Sequence, residues 1–167
     1  MDIFTELGDF INKIPKDETK ERMKMKEVLI LEDKSETRKV LAGLVKEVRS
    51  DAVIYEAADE KTAYDIAMKR TIDLFLVDII LHPQQHDDVS GGEFAQNIRK
   101  VDKYLFTPIL IITSMYDPKM CMYSSVHCYQ FIEKPFDFEK VKQTIQEAIR
   151  YETVQEKDRS LMFRTEG

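Results

Sequence analysis

Six polar side chains, spread over about a hundred positions, each stand within two residues of the end of a short apolar run. Glu32 and Asp33 follow Val28-Leu29-Ile30-Leu31, and Asp78 follows Leu74-Phe75-Leu76-Val77. Thr113 and Ser114 follow Ile109-Leu110-Ile111-Ile112, and Lys134 comes one residue after Glu133, which closes Tyr129-Gln130-Phe131-Ile132. Three carboxylates with coordination to spare suit Mg2+, which demands octahedral oxygen ligation yet keeps waters that a phosphate can displace. With the ammonium of Lys134 beside them, the set is arranged for a metal-bound phosphoryl group. Plainer readings stand next to this one. Asp33 and Glu36 also satisfy a helix capping box. Asp78 is nearly surrounded by apolar neighbours; burying it unpaired would cost on the order of several kcal/mol, and an ion pair with Lys134 alone would relieve that. Thr113 and Lys134 carry little by themselves, because threonine is common in strands.

What could bring these groups together is an alternation along the chain. From Glu27 onward, short apolar, β-branched runs alternate with charged stretches of helical period, the pattern of a parallel sheet covered by helices on both faces. The runs Val28-Leu29-Ile30-Leu31, Leu74-Phe75-Leu76-Val77 and Ile109-Leu110-Ile111-Ile112 are apolar throughout, as interior strands would be. Ala52-Val53-Ile54-Tyr55 and Tyr129-Gln130-Phe131-Ile132 complete five strands. In such a sheet the carboxyl ends of the strands share one edge, and ligands lie in the crevice there. The caps predict helix starts: Ser90 with Glu93 ahead of Phe94, Ile98 and Val101, then Asp117-Pro118, then Asp137 ahead of the stripe Val141, Ile145, Ala148 and Ile149.

The ends of the chain read differently. Ile3, Leu7, Phe10, Ile11 and Ile14 recur at helical spacing before Pro15, and a mixed charge run follows, so residues 1–25 are expected to be an amphipathic helix and linker. Residues 26–150 are expected to be one domain, and 151–167 a helix extension and linker that stops at the edge of a further domain. The 167 residues carry 25 basic and 31 acidic side chains, net charge -6, the wrong sign for a chain whose main work is neutralising nucleic-acid phosphates. Cys121 and Cys128 have neither zinc-site spacing nor the density of a disulfide scaffold, which fits a reducing compartment. The opening Met1-Asp2-Ile3-Phe4-Thr5-Glu6 lacks the positive charge of a secretory signal, and no apolar run approaches a membrane span, so a cytoplasmic location is expected.

Taken together, Leu29-Ile30-Leu31-Glu32-Asp33, Leu74-Phe75-Leu76-Val77-Asp78, Pro108-Ile109-Leu110-Ile111-Ile112-Thr113-Ser114 and Phe131-Ile132-Glu133-Lys134-Pro135-Phe136 resemble the receiver domain of two-component response regulators, over about 125 residues. The resemblance implies a flavodoxin-like (CheY-like) doubly wound α/β fold, a five-stranded parallel sheet of order 2-1-3-4-5, here with an N-terminal helical extension. It implies that Asp78 accepts a phosphoryl group from a sensor histidine kinase or a small phosphodonor, while Glu32, Asp33, Asp78 and the backbone carbonyl of Ile80 hold Mg2+. Lys134 and Thr113 would contact the phosphoryl oxygens, and Thr113 and Phe131 would relay the change to the face built by the last strand and its flanking helices. Such a domain catalyses its own modification and is not a turnover enzyme. The segment Leu161-Met162-Phe163-Arg164-Thr165-Glu166-Gly167 resembles the opening strand of LytTR-type DNA-binding domains, which implies transcription control through an output domain and a homodimer on phosphorylation. The alternative is a receiver-like interaction module that is never phosphorylated.

Three departures from the family pattern bear on the site. The stretch 79–90 is several residues longer than usual, which puts access to Asp78 and dephosphorylation in question. Ser114 occupies a position that is usually smaller, and Phe131 stands where tyrosine is frequent and can switch by packing only. His82 and His86, four apart, could sketch a transition-metal site, but Pro83 opposes the helix that would align them, and a solvated loop is expected. Cys121, His127, Cys128, Met115, Met120 and Met122 are expected to pack rather than ligate. The stripe Ile3, Leu7, Phe10 and Ile14 is expected to dock on the domain or on a second copy. A hydrolase with an aspartyl-phosphate intermediate would need a second acid after Asp78, where Ile79 and Ile80 stand.

Overall fold

Alternation of side chains along each strand divides the apolar residues into two sets, one for each face of a sheet. In the computed structural model, which describes residues 26–114 and 130–150, that division is the architecture. The strands are β1 (Glu27–Leu31), β2 (Val53–Ala57), β3 (Leu74–Val77), β4 (Ile109–Thr113) and β5 (Gln130–Glu133). The helices are α1 (Ser35–Val48), α2 (Glu60–Lys69), α3 (Ser90–Ile98) and α4 (residues 138–150), with a 3-10 turn at Asp102–Tyr104. All strand pairs are parallel, in the order β2-β1-β3-β4-β5, as expected.

Leu29, Leu31, Phe75, Val77, Ile109 and Ile111 point to one face, where Ala63 and Ala67 of α2 and Phe94, Ala95 and Ile98 of α3 cover them. Val28, Ile30, Leu74, Leu76, Leu110 and Ile112 point to the other, against Leu41, Leu44 and Val45 of α1 and Val141, Ile145 and Ala148 of α4. A buried side chain of this size contributes about 1.5–3 kcal/mol, so the two rows together supply much of the stabilisation of the sheet. β1, β3 and β4 are buried nearly throughout, whereas β2 and β5 keep polar, exposed positions as edge strands do. On the first face Tyr104 stands edge-on to Phe75, ring centroids 5.0 Å apart. Its hydroxyl, with one proton to give, lies 2.6 Å from the Ala67 carbonyl and 2.8 Å from that of Arg70 and accepts the Ile72 amide at 3.2 Å, tying the end of α2 to the approach to β3.

Several boundaries differ from those expected. β2 begins one residue later and runs two further, because pairing with β1 continues to Leu31↔Ala57 and the Glu32 amide still donates to the Ala57 carbonyl at 3.0 Å. Ser90 does not cap α3: it is the first helical residue, Val89 holds the cap position, and the Ser90 hydroxyl is spent on Asp88. α3 stops at Ile98, and Val101 instead precedes the 3-10 turn. Asp33 does not cap α1 either, since Lys34 holds that position with no side-chain cap. Asp137 does cap α4, accepting the Lys140 amide at 2.9 Å. The expected helix at 3–14, the cap at Asp117-Pro118, Tyr129 and the segment 151–167 lie outside the described residues.

Candidate metal and phosphoryl site

The ladder of the sheet carries on one residue past the strands. Beyond β1 and β3 the Asp78 amide donates to the Leu31 carbonyl at 2.9 Å, and beyond β4 and β5 the Lys134 amide donates to the Thr113 carbonyl at 2.9 Å. These bonds set Glu32, Asp33, Asp78, Thr113 and Lys134 along one edge of the sheet. Glu32 is 1% and Asp78 6% exposed, and Thr113 is buried. The Lys134 ammonium bridges the two acids, Nζ lying 2.6 Å from Glu32 Oε2 and 2.8 Å from Asp78 Oδ2.

One ammonium faces three carboxylates. Oxygens of Glu32, Asp33 and Asp78 lie within 4.8 Å of one another. Burial foremost, opposed by the hydrogen bond from Lys134 and reinforced by the charge of Asp78, pushes the Glu32 carboxyl up to about 7. Burial also pulls the Lys134 ammonium down, but its bonds to Asp78 and Glu32 prevail and hold its pKa above the ordinary lysine value. The ion pair expected for Asp78 therefore forms, yet it leaves the cluster short of positive charge. The capping explanation for Asp33 does not hold, because its side chain makes no cap. Three oxygens within 4.8 Å of one another are near enough for small side-chain movements to close them around a cation such as Mg2+, which takes oxygen ligands at about 2.1 Å. Glu32 Oε1 accepts the Lys34 amide at 3.2 Å and Asp78 Oδ1 the Ile80 amide at 3.3 Å, long bonds that leave both oxygens capacity for a cation.

Phe131 on β5 is 36% exposed, and Ser114 just after β4 is exposed. The long stretch after Asp78 is an excursion whose ends meet. Ile79 and Leu81 are buried, the Gly91 amide donates to the Ile79 carbonyl at 2.9 Å, and Asp88 Oδ2 accepts the amides of Leu81 and His82 and the Ser90 hydroxyl at 2.8–3.1 Å. Burial would raise the Asp88 pKa, but these three donors outweigh it and lower it. His82 turns to Glu60 on α2 at 3.2 Å, while exposed His86 pairs with Asp87 at 2.8 Å, so the two imidazoles do not share a site. Cys121, His127, Cys128 and the three methionines lie outside the described residues.

Gly91, Asp88 and Arg38 matter here without having been singled out for chemistry. A Cβ on Gly91 would stand 1.6 Å from the Asp78 carbonyl oxygen, so only glycine lets α3 start against that peptide. The paired Gly91-Gly92 was the visible signal for it. Arg38, five residues after Asp33, donates from Nη1 to the carbonyls of both Glu32 and Asp33; nothing in local spacing marks it.

A doubly wound parallel sheet with an acid cluster and one lysine at the carboxyl edge defines the receiver class of signalling domains. Residues 28–146 match the model of the response regulator receiver domain, and the chain belongs to that family. It is similar to the sensory transduction protein LytT of Bacillus subtilis, 28% identical over 121 residues, and to LytT of Enterococcus faecalis, 30% identical over 121 residues. Each alignment takes in 72% of this chain and 47% of the relative, so the chain spans about half the length of the curated relatives it matches. Among solved structures, the chemotaxis response regulator CheY4 of Vibrio cholerae is 26% identical, with TM-score 0.63, covering 75% of this chain and 99% of that one. A receiver domain from Methanospirillum hungatei, 15% identical with TM-score 0.67 over 79% of this chain and 99% of its own, shares the fold. Among the described residues no helix is long and apolar enough to cross a membrane.

Proposed function

We propose that the chain is a phosphorylation switch in which Asp78 is the acceptor. The observation that carries the reading is the Lys134 ammonium held between buried Asp78 and Glu32 with half-buried Asp33 alongside, a cluster of three acids that one lysine does not neutralise. An Asp78 carboxylate oxygen attacks the phosphorus of a phosphohistidine on a sensor histidine kinase. The new O–P bond forms as the P–N bond breaks, and the electron pair returns to the imidazole. Glu32, Asp33, Asp78 and the Ile80 carbonyl are the ligands for Mg2+, which when bound offsets the charge of the transferring group. Lys134 contacts a phosphoryl oxygen, and Thr113, at the end of β4, donates its hydroxyl to another. Drawing Thr113 inward opens space beneath β5 into which Phe131 turns from its present half-exposed position.

On this reading residues 26–150 are the receiver, and 1–25 and 151–167 are appendages, the latter leading to a DNA-binding output domain. The resemblance of 161–167 to LytTR-type domains supports that output. So does a 30% identity over 89 residues, 52% of this chain, to a probable transcriptional regulator, ycf29 of Porphyra purpurea. Phosphorylation then favours a homodimer, in a cytoplasmic protein that modifies itself rather than turning over a substrate. Incubating the chain with acetyl phosphate and Mg2+ should add a single phosphoryl mass to the native protein and none to Asp78→Ala. A native chain that gains no mass would overturn the proposal.

A further inference from the structure

Between the end of β1 and the start of α1 the chain must turn so that two consecutive carboxylates face the same pocket, although consecutive side chains ordinarily diverge. The usual device for holding such a turn, an acid capping the helix, is absent, since Asp33 makes no cap bond. Arg38 holds it instead. From the second turn of α1 its Nη1 donates to the Glu32 carbonyl at 2.9 Å and to the Asp33 carbonyl at 3.1 Å. Nε is buried without a hydrogen bond, 3.5 Å from Oε1 of Glu56 on β2. One guanidinium thus joins α1, the ends of β1 and β2, and two successive peptide planes. A rigid planar fork suits that task, whereas a flexible point charge does not.

We propose that Arg38 is a positioning residue for the divalent-ion site: by fixing the Glu32 and Asp33 carbonyls it sets the directions in which both carboxylates leave the backbone. The inference rests on reading Glu32, Asp33 and Asp78 as metal ligands. Charge and positioning make opposite predictions for it. A guanidinium near a cation site repels the cation, so on charge alone its removal tightens Mg2+ binding. If it orients the ligands, removal weakens binding, as loss of groups that support metal ligands does by about 10- to 100-fold.

The test titrates Mg2+ alone into the full chain and follows the backbone amide shifts of residues 31–34 and 78–80, in the native protein, Asp33→Asn, Arg38→Met and Arg38→Lys. Asp33→Asn should raise the dissociation constant at least about tenfold, as loss of a direct ligand must. Arg38→Met, which keeps the aliphatic stem, should raise it about tenfold. Arg38→Lys keeps the charge and one donor nitrogen but loses the rigid plane and the second arm toward Glu56 that hold that nitrogen in place, and should raise it roughly threefold. Arginine variants that bind Mg2+ as tightly as the native chain, or more tightly, overturn the role of Arg38 and leave the metal site standing. A native chain whose Mg2+ response is absent or indifferent to Asp33→Asn overturns both. Should Arg38→Met not fold, the lysine variant decides by the same criterion.

Discussion

Lys134 does two things that pull apart under substitution. In the present arrangement its ammonium occupies Glu32 Oε2 and Asp78 Oδ2, the same carboxylates that the metal reading assigns to Mg2+. It therefore competes with the cation by charge while serving the phosphoryl group by contact. Two unit charges about 4 Å apart at a protein surface interact by about 4 kcal/mol, and even a fraction of that is a large factor in affinity. Lys134→Met should accordingly bind Mg2+ roughly fivefold or more tightly while accepting phosphate from acetyl phosphate far more slowly. Calorimetric Mg2+ titration beside a mass time course separates the two effects, and a variant that binds Mg2+ more weakly contradicts this assignment. The types of these residues were legible in the sequence because each acid closes an apolar run, and a buried acid needs a cation. Arg38 was not, because its partners are backbone carbonyls, and a hydrogen bond to a carbonyl leaves no mark on the composition around it.

At the scale of elements, strand existence and order were readable and junctions were not. The motif Ser90-x-x-Glu93 has the spacing of a capping box, yet α3 starts one residue earlier than that motif implies. The reason is tertiary: the Ser90 hydroxyl is engaged with Asp88, and Gly91 has to lie against the Asp78 peptide, which fixes where the helix begins. The added residues of 79–90 loop out and return to their starting point. Two glycine substitutions expose the difference between a junction and a helix interior. Gly91→Ala drives a Cβ to 1.6 Å from the Asp78 carbonyl oxygen and 3.0 Å from that of Ile79, so either α3 or the Asp78 peptide must move by more than about 1 Å. Such overpacking costs about 1–3 kcal/mol, and a misplacement of that size at a reacting group can slow it about 100-fold. Gly43→Ala, in α1 with nothing within 4 Å of the new methyl, should instead gain about 0.5–1 kcal/mol from helix propensity. Thermal melts and acetyl phosphate labelling of both variants check the pair. Equal effects on stability or on rate would mean that Gly91 has no special place beside Asp78.

Across the whole molecule the site is a product of topology. Glu32 and Lys134 meet although 102 positions separate them, and they do so because β1, β3, β4 and β5 run parallel and end along a common line. No local segment contains the pocket, so it exists only when the sheet is complete, and anything that binds there reports on the fold as a whole. The unbalanced acids make this linkage strong: the folded sheet sets Asp78 against the neighbouring pair Glu32 and Asp33, from which the unfolded chain keeps it apart, and a divalent ion repays that repulsion only in the folded state. At a Mg2+ concentration about 100 times its dissociation constant, the native state should gain about 2.7 kcal/mol. For a domain of this size that corresponds to a rise in melting temperature of roughly 5–15 °C. Asp33→Asn should lose most of the rise, while a chelator should return the native chain to its starting value. The metal-free melting temperature of Asp33→Asn should stand at or above that of the native chain, because one of the mutually repelling charges is gone. A native protein whose unfolding is indifferent to Mg2+, with Asp33→Asn no more stable than it without metal, would show that the three acids are neutralised within the fold by other means.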